Sequence, residues 1–483
     1  MSMKDFQLPR LAIQLSVAVL CVVRSVEAHA QTLVGTVRTR DDLRPATGAM
    51  VILIDSANKP VGGDVADSLG RFRVQAPRTG RYAIRVERIG LRSVTAPAIA
   101  LAVGETVELP IDIAAEPVAL RRVRIDADSR CDVRPREGTP GQLAAWLWEE
   151  ARKALSATNV TDAKRLAPLE ITDVVRWRDL ESGKTLKEEQ RPVVRVRGRP
   201  FASVSPESLA VHGYVERQGD STVYAAPDAS TLLDARFLDQ HCLAARAARE
   251  DRAGLVGLAF KPARGTTRPD VSGVLWLDAE SFELRFLDFG YTAPDSLANP
   301  AFGGRVDFAR LRDGQWIVRR WILRVPGAVV APRGRVIPAV REEIQEVSRS
   351  SLEALGIAQP VKVATAISPD SLARLACAGA TTDSTGIVAG VARDGATGVP
   401  VAGAEVQAEW LGFIPSGSSV ARAEPQSRML RSDRDGRFEL CAAPSGALVT
   451  LTAHAGDRVR SLPTIVRATR QAVALTELQL LVR

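Results

Sequence analysis

Pro45-Ala46-Thr47-Gly48-Ala49-Met50-Val51 near one end of the chain and Pro400-Val401-Ala402-Gly403-Ala404-Glu405-Val406 near the other are two versions of one pattern. In the same order come Ala66-Asp67-Ser68-Leu69-Gly70-Arg71-Phe72 and Ser432-Asp433-Arg434-Asp435-Gly436-Arg437-Phe438, then Ala76-Pro77 and Ala443-Pro444. Three matches in register define an internal repeat over residues 32–126 and 386–482. Gly48 and Gly403 follow a proline and precede an apolar run, as a turn needing positive φ does. Asp67 and Asp433 open Asp-x-x-Gly turns, in which the carboxylate caps backbone N–H groups and Gly70 or Gly436 takes the left-handed position.

Working outward from those turns, Tyr82, Ile84 and Val86 alternate in the first copy and Val449, Leu451 and Ala453 in the second, the period-two mark of a half-buried strand. Val107, Leu109, Ile111 and Ile113 alternate likewise, with Pro110 assigning that strand to an edge. Short strands separated by turn signals predict a β-sandwich of about seven strands per copy. The second copy inserts Leu411-Gly412-Phe413-Ile414-Pro415-Ser416-Gly417-Ser418-Ser419, expected to be a loop, with Trp410 and Phe413 as contact candidates.

The order strand, P-x-x-G-A-x-V, strand, [ST]-D-x-x-G-x-F, strand resembles the carboxypeptidase regulatory-like module, a transthyretin-like sandwich grouped with carbohydrate-binding-like folds. Ala66 stands where that pattern has Ser or Thr. The resemblance covers roughly two fifths of the chain and implies an accessory module of the kind that occurs in carboxypeptidases, outer-membrane receptors and surface proteins. It is an argument about fold; function has to come from sites.

The flanking sequence supplies a compartment. Lys4 and Arg10 precede an apolar run from Leu11 to Val23, followed by Ala28-His29-Ala30, so residues 1–30 read as a secretory signal peptide. The run is shorter than the roughly 20 residues of a spanning helix. Leu20 before Cys21 argues against a lipidation site. Nothing further along reads as a spanning helix or as barrel strands with aromatic girdles. The formal charge of +8 becomes +7 once three basic residues (Lys4, Arg10, Arg24) and two acidic ones (Asp5, Glu27) are removed. With acids interleaved, this excludes a nucleic-acid binder; Arg195-Val196-Arg197-Gly198-Arg199 reads as an exposed strand face. In an oxidising compartment Cys131, Cys242, Cys377 and Cys441 are disulfide candidates with three possible pairings. Cys131–Cys242 and Cys377–Cys441 are favoured because each then stays within or at the edge of one proposed domain.

Domains are expected at 31–126 and 382–483 (sandwiches) and 127–350 (central), with a linker at 351–381. In the central part Pro140 opens a helix with an apolar stripe of Leu143, Leu147, Ala151 and Leu155 and with Glu149 four residues before Lys153. Its tryptophans read as core anchors. A β-meander follows over 254–260, 273–278, 282–289, 305–311 and 315–325, with hairpin turns at 278–281 and 312–314. Phe282, Leu284 and Phe286 are expected to share one face. The fold class is mainly β: two transthyretin-like sandwiches flanking a central α+β domain. That centre weakly resembles the half-barrels of periplasmic lipoprotein carriers, which hold acyl chains in an apolar groove.

Enzymatic chemistry finds no support. His212, His241 and His454 are scattered without metal-ligand spacing. His241 and Cys242 are neighbours on a strand and point to opposite faces. Ser182-Gly183-Lys184-Thr185 lacks the first glycine of a P-loop, Arg178 standing there. Asp433-Arg434-Asp435-Gly436 lacks the later bidentate Glu of a calcium loop, and Asp278, Glu280 and Glu283 read as solvated turn acids. No catalytic, cofactor or metal residues are expected. The sequence predicts a non-catalytic exported envelope protein whose sandwiches bind a glycan, an envelope component or a partner protein such as an outer-membrane protein. An apolar-ligand carrier stands second, and an enzyme of unrecognised type in the central domain third.

Overall fold

The computed structural model describes residues 31–114, 140–164, 169–196, 201–219, 221–248, 252, 254–266, 268–292, 299–360, 369–382, 384–416, 420–456 and 459–482. The signal-peptide reading, Cys131 and Arg197 to Arg199 lie outside them.

The first sandwich contains β1 (Gln31–Thr39), β2 (Met50–Ile54), β3 (Pro60–Val65), β4 (Arg71–Ala76), β5 (Gly80–Glu87), β6 (Val94–Leu101), β7 (Thr106–Glu108) and β8 (Ile111–Ile113). The strands number eight because Leu109-Pro110 divides the last alternating run. Both pieces pair parallel with β1, and β4 flanks β1 antiparallel. The second sheet has the order β3-β2-β5-β6. Between the sheets Leu33, Val37, Val51, Leu53, Phe72, Val74 and Ile84 form a closed core.

In β2 all five residues are buried. Val51 and Leu53 face the sandwich core, while Met50, Ile52 and Ile54 belong to the core of the central domain. What covers them is α1 (Pro140–Lys164), which buries the expected stripe of Leu143, Leu147, Ala151 and Leu155. Trp146 packs edge-on against Phe282, ring centroids 4.2 Å apart. The helix is therefore the middle layer of three, with the sandwich on one side and the central sheet on the other. Its charges pair differently from the expected spacing: Glu149 meets Arg152, and Lys153 meets Glu150.

The central sheet is antiparallel throughout. Its strands are β9 (Leu169–Asp179), β10 (Thr185–Val196), β13 (His241–Ala247), β14 (Leu255–Pro262), β15 (Val271–Asp278), β16 (Leu284–Tyr291), β17 (Gly303–Arg310), β18 (Trp316–Val330) and β19 (Val336–Val347), in the order β10-β9-β19-β18-β17-β16-β15-β14-β13. A small excursion inserts α2 (Pro206–His212), β11 (Val215–Gln218), β12 (Ser221–Tyr224), α3 (Ala229–Leu233) and α4 (Ala235–Gln240). The predicted meander corresponds to β14 through β18, and Ser182 to Thr185 occupy the β9–β10 hairpin. One facing expectation fails: Leu277 pairs with Leu284 but Trp276 with Phe286, leaving Arg285 as the extra residue of a bulge. The bulge turns Phe286 to the outer face, where it joins Val274 and Trp276, while Phe282 and Leu284 stay inside.

After α5 (Arg349–Leu355) and α6 (Pro369–Ala376) comes the second sandwich: β20 (Thr385–Asp394), β21 (Glu405–Ser416), β22 (Val420–Arg431), β23 (Arg437–Pro444), β24 (Leu448–His454), β25 (Val459–Ser461), β26 (Thr464–Arg467) and β27 (Val473–Val482). As in the first copy, its leading strand lies antiparallel to β23 and parallel to the last strand. Cys377 and Cys441 are joined, Cα atoms 5.3 Å apart, fixing the end of α6 to β23. Cys242 is also disulfide-bonded. Among the described residues no helix is long and apolar enough to cross a membrane, which leaves β-barrels unaddressed.

Candidate functional site

The repeated corner is the same device twice. Asp67 Oδ1 accepts the amides of Leu69 and Arg71 at 2.9 Å each, and Asp433 Oδ1 those of Asp435 and Arg437 at 2.9 and 2.8 Å. Gly70 and Gly436 have φ of 74° and 71°, Gly48 and Gly403 of 79° and 69°, so all four sit where a Cβ is strained. Equivalent backbone bonds recur: Gly48 N to Ala66 O and Gly403 N to Ser432 O, both 2.9 Å. The departure at Ala66 has a visible effect. Ser432 Oγ donates to Val401 O and accepts from Ala404 N, a bridge that alanine cannot make.

Both corners abut one end of the central sheet. Alternate turns of an antiparallel meander lie at the same end, and here those are the turns near Gly254, Glu280 and Gly314. A Cβ on Gly314 would lie 2.5 Å from Gly48 N, so two backbones touch there. A Cβ on Gly254 would lie 3.5 Å from Asp435 Oδ2. The two capping carboxyls are shifted in opposite directions. Asp67 is only lightly buried, and its hydrogen bonds from Arg71 outweigh that burial, so its carboxyl lies below the usual value. Asp433 is pushed up, mainly by burial, with Asp435 adding and the Arg437 amide opposing.

Beside Asp433 a cleft of about 930 Å³ opens between β13 and the second sandwich. Its walls carry Arg246 on one side and Arg431, Asp433, Arg437 and Glu439 on the other, over a floor of Leu372 and Leu375 from α6. Burial, followed by the charge of Asp433, raises the Glu439 carboxyl against the pull of Arg437. Among the described residues no three His, Cys, Asp or Glu side chains are placed to hold a metal.

Leu411 to Ser416 of the inserted segment are strand and not loop, while Gly417 to Ser419 lie outside the described residues. β21 pairs with β24 only from Glu405 to Glu409, but with β22 out to Ser416 and Val420. From Trp410 onward the hairpin has no third strand among the described residues, so it extends as a two-stranded arm of about 20 Å at roughly 3.3 Å per residue. Trp410 packs partly against the sandwich core at the arm's base, and Phe413 lies in the arm opposite Ala423. Leu411 is 58% exposed.

Residues 32–115 match the carboxypeptidase regulatory-like domain. The match covers the first sandwich, the module whose corner carries Gly48, Asp67 and Gly70. No curated protein matches the chain. Similar solved structures include the Bacillus anthracis TIE protein (10% identity, TM-score 0.16, covering 94% of this chain and 51% of that one). A streptococcal ancillary pilin gives 12% identity and a TM-score of 0.16, covering 94% and 99%. BcpA, the major pilin subunit of Bacillus cereus, gives 10% and 0.13, covering 93% and 99%. The chain thus spans about half the length of the TIE protein, and TM-scores this low carry no argument about fold or function.

Two charged clusters and one ion pair, that of Glu283, escaped sequence reasoning. His241 stacks on Phe237, ring centroids 3.9 Å apart; its Nδ1 lies 2.9 Å from Phe237 O and its Nε2 3.1 Å from Asp270 Oδ1. With both ring nitrogens engaged, neither is available as a base or a metal ligand. Glu283, expected in solvent, is buried and accepts from Arg310 Nε at 2.8 Å. The second cluster locks α1 to the first sandwich. Glu150 accepts the Gly90 amide at 2.7 Å and pairs with Lys153 at 2.8 Å, Lys153 donates to Leu91 O at 2.8 Å, and Arg152 grips Glu87 through two bonds. His241 and Lys153 carry no motif; only the fold brings Asp270 and Leu91 to them.

Proposed function

We propose that this chain is a non-catalytic, exported cell-envelope protein that holds two sandwich modules on one rigid centre and binds a partner protein through the arm of the second. The observation that carries this reading is the β21–β22 hairpin, which runs on from Trp410 to Ser416 without a third strand. Such an element leaves backbone donors and acceptors open on both edges, the setting for strand-to-strand recognition. Its sequence puts Leu411, Phe413 and Ile414 on that extension. The regulatory-like match of the first sandwich and the repeated corner in the second support assigning both to one accessory class. The carrier alternative has less support: the apolar face that would hold an acyl chain is occupied by α1, with Leu147, Ala151 and Leu155 fully buried in the shared core.

The test is co-sedimentation of the purified chain with isolated cell envelopes, comparing wild type with a variant in which residues 411–425 are replaced by a short turn. Tenfold weaker binding of the shortened chain, with both sandwiches still folded, is expected. Equal binding by the two chains rejects the arm as the contact element.

A further inference from the structure

A small cavity of about 20 Å³ lies beside the buried His241–Asp270 pair, lined among others by Tyr214, Thr231, Arg268 and Asp270. Asp270 is 1% exposed. Its Oδ1 is occupied by the Val271 amide at 2.8 Å and by His241 Nε2 at 3.1 Å. Among the described residues its Oδ2 has no hydrogen-bond partner, and Arg268 Nη2 at 3.9 Å is too distant to be one. Thr231, 2% exposed, gives its amide to Asp228 at 2.8 Å while its Oγ1 has no partner either. Two orphaned oxygens on one cavity are unusual in a folded chain and call for a bridging group.

We propose that this cavity is a binding site for a single internal water, which donates to Asp270 Oδ2 and shares a hydrogen bond with Thr231 Oγ1. The volume of about 20 Å³ is that of about one water. A carboxylate oxygen accepts only, so the occupant must donate, which a chloride or another anion cannot do. A hard metal cation needs about six oxygen ligands, whereas Asp270 and Thr231 supply two, and Arg268 at 3.9 Å repels positive charge. Tyr214 keeps its hydroxyl proton, because burial and then the charges of Asp270 and Asp228 push it well above the usual phenol value, so it is a further donor at the wall. The water ties α3, through Thr231, to the residue just before β15, and so joins the helical excursion to the sheet.

The experiment compares Thr231→Val and Thr231→Ser in the full chain. If Thr231 Oγ1 is bridged, the near-isosteric valine lowers Tm by about 2–4 °C, serine stays close to wild type, and a crystal structure shows one density peak within 3.2 Å of Asp270 Oδ2 in wild type that is missing in Thr231→Val. If the hydroxyl is an orphan, valine removes a buried unsatisfied group and raises Tm, which overturns the proposal. A dry cavity in wild-type density, or a peak that appears only with added sodium, overturns it as well. Should Thr231→Val fail to fold, the wild-type density and the Thr231→Ser Tm still decide the matter.

Discussion

Replacing Lys153 by Met tests the lock between α1 and the first sandwich. The ammonium is 4% exposed and lies 2.8 Å from Glu150 Oε1, 2.8 Å from Leu91 O and 3.2 Å from Arg88 O. Methionine keeps most of the volume but leaves a fully buried carboxylate with one amide donor and takes the ammonium from Leu91 O, while Arg88 O keeps the Leu91 amide at 3.1 Å. Breaking a buried pair by removing one partner costs about 3–5 kcal/mol, so a loss of about 4 kcal/mol is expected for the unit formed by the sandwich and α1. The pH dependence has a definite sign. Glu150 titrates above its ordinary value, chiefly because of burial, against the opposing pull of Lys153. Between the unfolded value and that raised value the native state binds the extra proton, so stability falls as pH rises. Without Lys153 the shift grows, and the deficit of Lys153→Met should shrink on acidification from pH 7 towards 5. The double variant Glu150→Gln/Lys153→Met should recover about half of the loss, since no buried charge is left unpaired. Urea unfolding followed by tryptophan fluorescence, with hydrogen exchange on β2 and α1, reads all three. A loss under 1 kcal/mol, or a deficit that widens at low pH, refutes the reasoning.

Gly314→Ala should undock the first sandwich at a cost of about 2 kcal/mol, combining strain at φ +92° with a Cβ 2.5 Å from Gly48 N; faster exchange of the amides around Gly48 and Ala66 is the readout. Opening the Cys377–Cys441 bridge by Cys441→Ser removes a closure of 64 residues, worth about 4 kcal/mol in the chain-entropy model. The loss should appear in the urea midpoint of the second sandwich and not of the first. Carboxyl NMR should find Asp67 titrating below and Asp433 above the ordinary aspartate value. The contribution of Asp67 is present above its unfolded value and lost as pH falls through its folded one. That of Asp433 runs the other way, weakening as pH rises through its folded value.

The turns were legible in the sequence because their chemistry is local: Asp433 caps amides two and four residues on, and Gly436 supplies a backbone angle of its own. The stripe of α1 and the five meander strands were legible through periodicity. What sequence reading missed is long-range. Glu283 reads as a turn acid until β17 brings Arg310 to it, and the bulge at Arg285 reverses the facing of Phe286 without any residue that announces it. The insertion from Leu411 to Ser419 reads as a loop because Gly412, Pro415 and Gly417 are turn residues. Strand pairing across the hairpin overrides those local preferences. One available signal went unused: Met50 to Ile54 is apolar without alternation, the mark of a strand covered on both sides, whereas Glu405-Val406-Gln407-Ala408-Glu409 alternates.

That contrast within β2 sets where the chain can be cut. A fragment ending at Ile113 would present Met50, Ile52, Ile54 and Val65 to water, each of about 1.5–3 kcal/mol burial value, as a contiguous sticky face. It should aggregate although it contains all but the last two residues of the recognisable module, which spans 32–115. The smallest separable piece at that end therefore extends through Lys164, and because the other face of α1 is apolar as well, it extends into the sheet behind it. Homology marks out a module of about 80 residues here; solubility marks out a much larger one.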